Sequence, residues 1–301
     1  MMKRSVSASS KKRYVSILLG ILCIGIAVFL LWHMQSEYKE SDRFYQKLEG
    51  RALNKDAGSQ QSKHNEQNDQ TVQKAEDSEK QASAADTASL EIDFGALKQV
   101  NGDIIGWILF DNNGISYPIL QGKDNEKYLY RLADGTKSKA GSIFMDAACS
   151  PDFSDAHTII YGHNMKNLSM FGKLKWYRTK RGYYENNRYF TIYTPDRVLR
   201  YEIFSWYEAN ADDMVYQVGF QPDEIFLTFV EEMVKRSSQS TGVTVDENDK
   251  IVTLSTCSAD GKRFVVHGKL CSYCSEHSLT LRRQAMRHSV NYCAITAIIY
   301  T

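Results

Sequence analysis

The sequence has almost no excess of charge. Thirty-seven Lys and Arg stand against 36 Asp and Glu, a formal net charge of +1 over 301 residues. Binding to a nucleic acid backbone calls for a basic face, and the balance gives no support for one. Cysteine is scarce: Cys23, Cys149, Cys257, Cys271, Cys274 and Cys293 are six in all, too few for a disulfide scaffold. In an exported chain each such thiol has to be accounted for singly. No acidic run in the folded region has the spacing of a calcium loop, and no Gly-rich phosphate loop occurs, so no metal and no cofactor is expected. Between Gln46 and Asp93 there is no Phe, Tyr or Trp at all.

What is present divides the chain into zones. Residues 1–13 carry Lys3, Arg4, Lys11, Lys12 and Arg13 and no acid. Tyr14 to Trp32 follow as an uncharged run of 19 residues, which at ~1.5 Å per helical residue nearly spans a hydrocarbon core of ~30 Å. The basic flank precedes the run, so the expected topology is a cytoplasmic N-terminus, a single membrane anchor over 14–32 and everything else outside. A cleaved signal peptide would have a shorter apolar core followed by a small-x-small site. Here the run is long and HMQSEYKE follows it. Cys23 falls inside the run and reads as a small hydrophobe. Residues 33–89, polar and rich in Ser, Gln, Ala, Asp and Lys after an opening that reads as a polar helix to about residue 50, lack the apolar surface to offset chain entropy and read as a stalk.

From about Leu90 to Leu270 the composition changes. Eight short β-type runs alternate with turn signals: DIIGWILF, ISYPIL, GSIFM, HTIIYG, RYFTIY, RVLRYEIFSWY, KIVTLS and RFVVHGKL. One good helix interrupts them, the segment Pro222–Ser238 between the sixth and seventh runs, with Ile225, Phe226, Phe229, Met233 and Val234 at helical spacing. Pro222 and Asp223 form its start signal. The pattern predicts a mainly β domain over 90–270, an eight-stranded closed or nearly closed barrel with few helices, rather than a βαβ fold. Residues 271–301 form an extension with a Cys271-Ser-Tyr-Cys274 pair, a basic patch and a short apolar end too brief to span a membrane.

Cys257 ends the strand-like run Lys250–Thr256 and precedes the turn signal Ser258-Ala-Asp-Gly261. A thiol at a strand end is open to a substrate, but near neutral pH it is only a few per cent thiolate and needs a nearby cation or base. Taken alone, Cys257 reads more readily as a buried structural cysteine than as a nucleophile. Of seven histidines, His157, His163 and His267 lie in the compact region. His163 follows a strand and a glycine. His157 lies at the other end of that strand, about 20 Å away at ~3.3 Å per residue, so the two cannot serve one site. His267 lies inside an apolar strand and reads as a sheet residue. Arg263 opens the last strand, six residues after Cys257; a short turn returns it beside the thiol, where a forked, permanent cation suits a developing oxyanion. Lys262 is its neighbour, and side-chain alternation allows only one of the two to face the site.

Together these residues form a recognisable constellation. Thr253-Leu-Ser-Thr-Cys257 resembles the TLxTC signature of sortases, Tyr161-Gly-His163-Asn resembles that family's histidine segment, and Arg263 stands where the family carries its arginine. Trp107, Tyr117–Leu120, Gln121-Gly-Lys-Asp-Asn125, Tyr128-Leu129, Gly141–Asp146, Met170-Phe-Gly-Lys-Leu and the helix between the sixth and seventh strands resemble class B. The likeness covers about Ile92 to Leu270. Two departures are a turn between Cys257 and Arg263 shorter than in some members, and Ser258 where some carry an acid.

The resemblance implies a membrane-anchored cysteine transpeptidase acting outside the cell. Cys257 would be its nucleophile, His163 its acid and base, and Arg263 the cation at the oxyanion. Its partners would be exported proteins bearing a C-terminal sorting signal, of an Asn-Pro-x-Thr type in class B, with a cell-wall precursor or a pilin amine as acceptor. Asn125 and Leu129 match positions lining the signal groove; Ser255 lies two residues before the cysteine on the same strand face; Val215 and Tyr216, in the connection between strands six and seven, are candidates for a wall. Two other readings compete. One is a secreted cysteine peptidase or hydrolase with the same Cys/His pair. The other is a non-enzymatic surface module in which Cys271 and Cys274 form a disulfide or, with His277 and Cys293, hold a metal.

Overall fold

The computed structural model describes residues 8–53, 90–257 and 261–275. They fall into two compact units, divided between Phe44 and Tyr45. The first unit is the greater part of one long helix, α1 (Ala8–Ala52). From Ile17 to Trp32 its large apolar side chains, Ile17, Leu22, Phe29 and Trp32 among them, are exposed all around the helix. A helix apolar on every face belongs in an apolar surrounding, a protein interior or a membrane. Among the described residues it is the one helix long and apolar enough to cross a membrane.

The second unit is a closed barrel of eight strands, in the order β1-β2-β3-β4-β7-β8-β6-β5. These are β1 (Ile104–Phe110), β2 (Ser116–Gln121), β3 (Ile143–Met145), β4 (His157–Tyr161), β5 (Tyr189–Tyr193), β6 (Arg197–Ala209), β7 (Ile251–Cys257) and β8 (Arg263–Ser275). Every one of the eight β-type runs in the sequence is a strand. Closure comes from β1 pairing with β5, which leaves no open edge for a second chain to pair with. Two neighbouring pairs, β2–β3 and β4–β7, are parallel; the others are antiparallel. Trp107, Phe110, Tyr128, Phe171, Phe190, Tyr201 and Trp206 are fully buried and supply much of the core volume. Phe190 stacks between Phe110 and Tyr201, with ring centroids 5.2 and 5.1 Å away.

Four short helical elements and one longer one complete the unit: α2 (Phe94–Val100), α3 (Trp176–Thr179), α4 (Tyr183–Asn186), a 3-10 turn at Met214–Tyr216, and α5 (Glu224–Arg236). The α5 helix is the one anticipated between strands six and seven. Asp223 caps it, accepting hydrogen bonds from the backbone N–H of Ile225 and Phe226 at 3.0 Å each. Its buried stripe is Phe226, Phe229, Val230 and Met233. Ile225 and Val234, which the sequence pattern placed on the apolar face, are exposed: the stripe that meets β6 runs through 226, 229, 230 and 233, and the two outliers sit beyond its edges.

Two boundaries differ from the sequence expectation. Residues 33–89 were expected as stalk, but Tyr45, Leu48 and Ala52 are buried, so the last two turns of α1 belong to the barrel unit. The Tyr45 hydroxyl donates to the Gly141 carbonyl at 2.8 Å and lies 3.0 Å from Ser142 Oγ. Residues 54–89 lie outside the described residues. At the other end β8 runs through Leu270 to Ser275, paired with Arg197–Arg200 of β6. Cys271 and Cys274 therefore sit three residues apart in extended chain, about 10 Å between Cα atoms, whereas a disulfide needs ~4.4–6.8 Å. That geometry removes the disulfide between them. His277 and Cys293, the other ligands imagined for a metal, lie outside the described residues, as does Ser258.

Candidate active site

Three strand ends meet at one rim of the barrel. The parallel register of β4 and β7 sets Tyr161 beside Ser255, and the Gly162 N–H donates to the Ser255 carbonyl at 3.0 Å. That bond carries the pairing past the end of β4 and brings His163 level with Cys257. On the other side of β7 the antiparallel register sets Cys257 directly opposite Arg263. Directly opposite positions in an antiparallel pair share one face of the sheet. Lys262, one residue earlier, is exposed, while Arg263 is half-buried.

Beneath this rim lies a cavity of about 210 Å³ lined by Asn125, Leu129, Phe144, Tyr161, Gly162, His163, Ser255, Thr256 and Arg263. His163 Nε2 is 2.6 Å from the Leu129 carbonyl oxygen. A carbonyl only accepts, so Nε2 carries the proton of the neutral ring. The Tyr130 ring packs beside the imidazole at 5.6 Å. The structure thus brings together the backbone of Cys257 and the side chains of His163, Arg263, Asn125, Leu129 and Ser255. Tyr216 stands behind them, its hydroxyl 2.9 Å from Ser255 Oγ and its ring stacked on Tyr161 at 6.3 Å. Val215 is not brought to the cavity. It is fully buried in the cluster formed by Phe204, Phe226, Phe229 and Val230, where it anchors the 3-10 turn that presents Tyr216.

Gly162 is what lets the histidine segment fit. A methyl group there would lie 2.4 Å from Ile143 Cδ1 and 2.6 Å from Phe171 Cδ2, and both residues are fully buried. Gly162→Ala is expected to cost about 1–3 kcal/mol, as overpacking does, and to displace the adjoining His163. A drop in melting temperature with a larger drop in peptide turnover checks this; unchanged turnover would dissociate the glycine from the site.

Sequence patterning did not single out Tyr161, Phe144, Thr256 and Asp146. Their signal was there: Tyr161 lies in the Tyr-Gly-His segment, Thr256 in the stretch before Cys257, and Phe144 and Asp146 close the run Gly141–Asp146. Asp146 lies next to the cavity and accepts from the Tyr161 hydroxyl at 2.8 Å and the Asn125 amide at 2.9 Å. Burial, and then its bond to Asp146, hold the Tyr161 phenol protonated well above its usual range.

The other two histidines serve the interior. His157 and His267 are fully buried, with Thr253 Oγ1 between them, 2.7 Å from His157 Nε2 and 2.9 Å from His267 Nδ1. His157 Nδ1 lies 2.8 Å from the Gln217 carbonyl, which makes Nδ1 its donor and Nε2 its acceptor. The chain of bonds then has one sense: His267 Nδ1–H to Thr253, Thr253 O–H to His157, His157 Nδ1–H to Gln217. Burial lowers the His157 pKa to about 4 and drives that of His267 well below its usual value. Among the described residues no three His, Cys, Asp or Glu side chains cluster as metal ligands would.

The comparisons with known proteins agree with one another. The sortase domain family model matches residues 110–271. Sortase B of Listeria monocytogenes serovar 1/2a (strain ATCC BAA-679 / EGD-e) is 36% identical over 178 residues, which cover 58% of this chain and 72% of the relative. Among solved structures, sortase B from B. anthracis in complex with AAEK1 superposes with a TM-score of 0.56 at 38% identity, covering 60% of this chain and 84% of that one. A Staphylococcus aureus sortase B–substrate complex does so with a TM-score of 0.56 at 32% identity, again over 60% and 84%.

Proposed function

The chain belongs to the sortase family, in its class B, and on that premise we propose that it cleaves a C-terminal sorting signal of exported proteins after Thr and transfers the protein to an amine. The enzyme is a sortase transpeptidase. The finer chemistry rests on one observation: the register that brings His163, Cys257 and Arg263 level at a single rim over a cavity.

The thiolate of Cys257 adds to the carbonyl carbon of the signal threonine. The oxygen becomes an oxyanion, which the Arg263 guanidinium stabilises. His163, as imidazolium, gives its proton to the leaving amine as the C–N bond breaks. A thioester remains on Cys257. An incoming amine then attacks it, His163 takes a proton from that amine, and the Cys257 thiolate leaves as the C–S bond breaks and the new amide forms. The acceptor is a cell-wall precursor or a pilin amine, and the signal is of the Asn-Pro-x-Thr type. Asn125, Leu129 and Ser255 line the groove for it, and Tyr216 backs the wall through Ser255. The apolar part of α1 anchors the enzyme as a single span, with its N-terminus cytoplasmic and the catalytic unit outside.

With the full chain in detergent micelles and a fluorogenic signal peptide, Cys257→Ala is expected to abolish both cleavage and ligation. Retained turnover would show that another residue is the nucleophile. Adding an amine acceptor to the wild type separates transpeptidase from hydrolase: a ligated product that grows at the expense of the hydrolysed one is expected, and hydrolysis alone would favour the peptidase reading.

A further inference from the structure

Asp146 follows β3 and carries a carboxylate that the reaction above does not use. It is only 8% exposed, although it lies beside an open cavity. Three donors converge on its two oxygens. Oδ2 accepts from the Asn125 side-chain amide at 2.9 Å and from the Tyr161 hydroxyl at 2.8 Å. Oδ1 accepts from the Ala148 backbone N–H at 2.9 Å. Its own backbone N–H is held by the Ile159 carbonyl of β4 at 2.9 Å, which fixes the main chain here, and the three donors hold the carboxylate.

The two side chains it grips stand in different elements. Asn125 lies in the exposed loop between β2 and β3, and its Oδ1 is already taken by the Ala147 N–H at 2.8 Å. The amide is therefore pinned at both ends, and its orientation is fixed: oxygen to Ala147, nitrogen to Asp146. One amide hydrogen goes to Asp146, and the second is the donor this residue presents at the cavity. Tyr161 ends β4, two residues before His163, and its ring stacks on Tyr216, which in turn reaches Ser255. A single carboxylate thus sets the direction of a polar donor on one side of the cavity and the plane of an aromatic surface on the other.

We propose that Asp146 is the positioning residue of the peptide groove: by holding Asn125 and Tyr161 at once it presets the donor and the ring against which the backbone of an extended peptide signal is seated. It touches neither the peptide nor the reacting atoms. The inference rests on the reading of the cavity as the signal groove. It assigns to Asp146 an effect on binding that is separate from the chemistry at Cys257.

Asp146→Asn tests this with little change of shape. One oxygen becomes an NH2 group. With the amide oxygen at Oδ2, Asn125 and Tyr161 keep an acceptor that has lost its charge while the Ala148 N–H faces a donor; with the oxygen at Oδ1, both arms lose their acceptor. The grip on the two side chains therefore weakens whichever way the amide turns. In the full chain, KM for a signal peptide is expected to rise about tenfold, the scale of one lost charge-assisted hydrogen bond, with kcat within about threefold. Alkylation of Cys257 by iodoacetamide, followed on the peptide that contains it, should keep its rate. In an Asn125→Ala/Tyr161→Phe background, D146N should add less than about twofold to KM, because the groups it acts through are gone. A merely structural role would leave its penalty intact in that background and would overturn the proposal, as would an unchanged KM in D146N. Should D146N fail to fold, Asn125→Leu, at an exposed position, breaks the same arm; it is expected to raise KM by a similar factor, and an unchanged KM there overturns the proposal equally. Absence of peptide turnover in the wild type would instead sink the reading of the site, and the inference with it.

Discussion

Replacing Arg263 by Met is expected to lower kcat on a signal peptide by about 10²–10³-fold, the range seen when one donor to an oxyanion is lost. The argument starts from register. Arg263 is the backbone partner of Cys257 across β7 and β8, and its side chain lines the cavity. Its bonds to protein at that end are weak: Nη1 lies 3.5 Å from the carbonyls of Gly261 and Lys262. Among the described residues its forked donors thus find only weak partners, and they are better used on a charge that develops in the reaction. An interaction made only in the transition state lowers kcat and kcat/KM together and leaves KM nearly unmoved. Arg263→Lys keeps the charge but loses the planar fork, so it should recover only part of the loss. Lys262→Ala, one residue away and exposed, should stay within about twofold of wild type; alternation along a strand turns it from the site. Steady-state kinetics on the three variants decide the matter. If R263M raised KM alone, the arginine would be holding the peptide in its ground state.

The barrel was legible because each strand carries its own signal. The runs from DIIGWILF to RFVVHGKL are rich in β-branched and aromatic residues and are separated by turn residues, and that local chemistry does not depend on which strand lies next door. Order and direction are another matter. The parallel pairings of β2 with β3 and of β4 with β7 come from connections that cross the barrel, and nothing in the strands themselves encodes them. Yet β4–β7 is what brings His163 level with Cys257, so that half of the site's geometry was invisible, whereas the return of Arg263 beside Cys257 could be read from the short turn between them. The helix end at Tyr45–Ala52 was missed for a different reason. Its apolar contacts, Tyr45, Leu48 and Ala52, form a thin stripe in a polar segment, too sparse to stand out from a solvated helix. Val215 illustrates the converse error: it neighbours Tyr216 in the same loop, but successive residues in a 3-10 turn face different ways, and one plugs the core while the other backs the groove.

The buried histidines predict an acid limit to stability. In the folded chain His157 titrates at about 4 against 6.5 when unperturbed, because burial disfavours the imidazolium. A folded-state pKa below the unfolded one means that the unfolded chain binds the proton first. The stabilisation is therefore complete above about pH 6.5 and is lost as pH falls towards 4. For His157 the loss is on the order of 3 kcal/mol, and His267, shifted in the same direction, adds to it. The charges near the pair do not cancel this. Asp146 and Asp155 pull the His157 value up and Asp213 that of His267, whereas His157 and Arg236 push His267 down; in both histidines burial is the largest cause. The consequence reaches the groove, since protonating His157 at Nε2 turns the acceptor for Thr253 into a donor and disrupts the chain that ends on Gln217, next to Tyr216. Melting temperatures of the full chain between pH 8 and pH 4 should fall steeply below pH 6.5. His157→Phe places an apolar ring beside Phe220 and Phe229 and leaves the Gln217 carbonyl without its donor, so it should lower stability at pH 8 while flattening the acid slope. The slope is the decisive quantity: if the variant and the wild type lost stability in parallel as pH fell, titration of His157 would not be the cause.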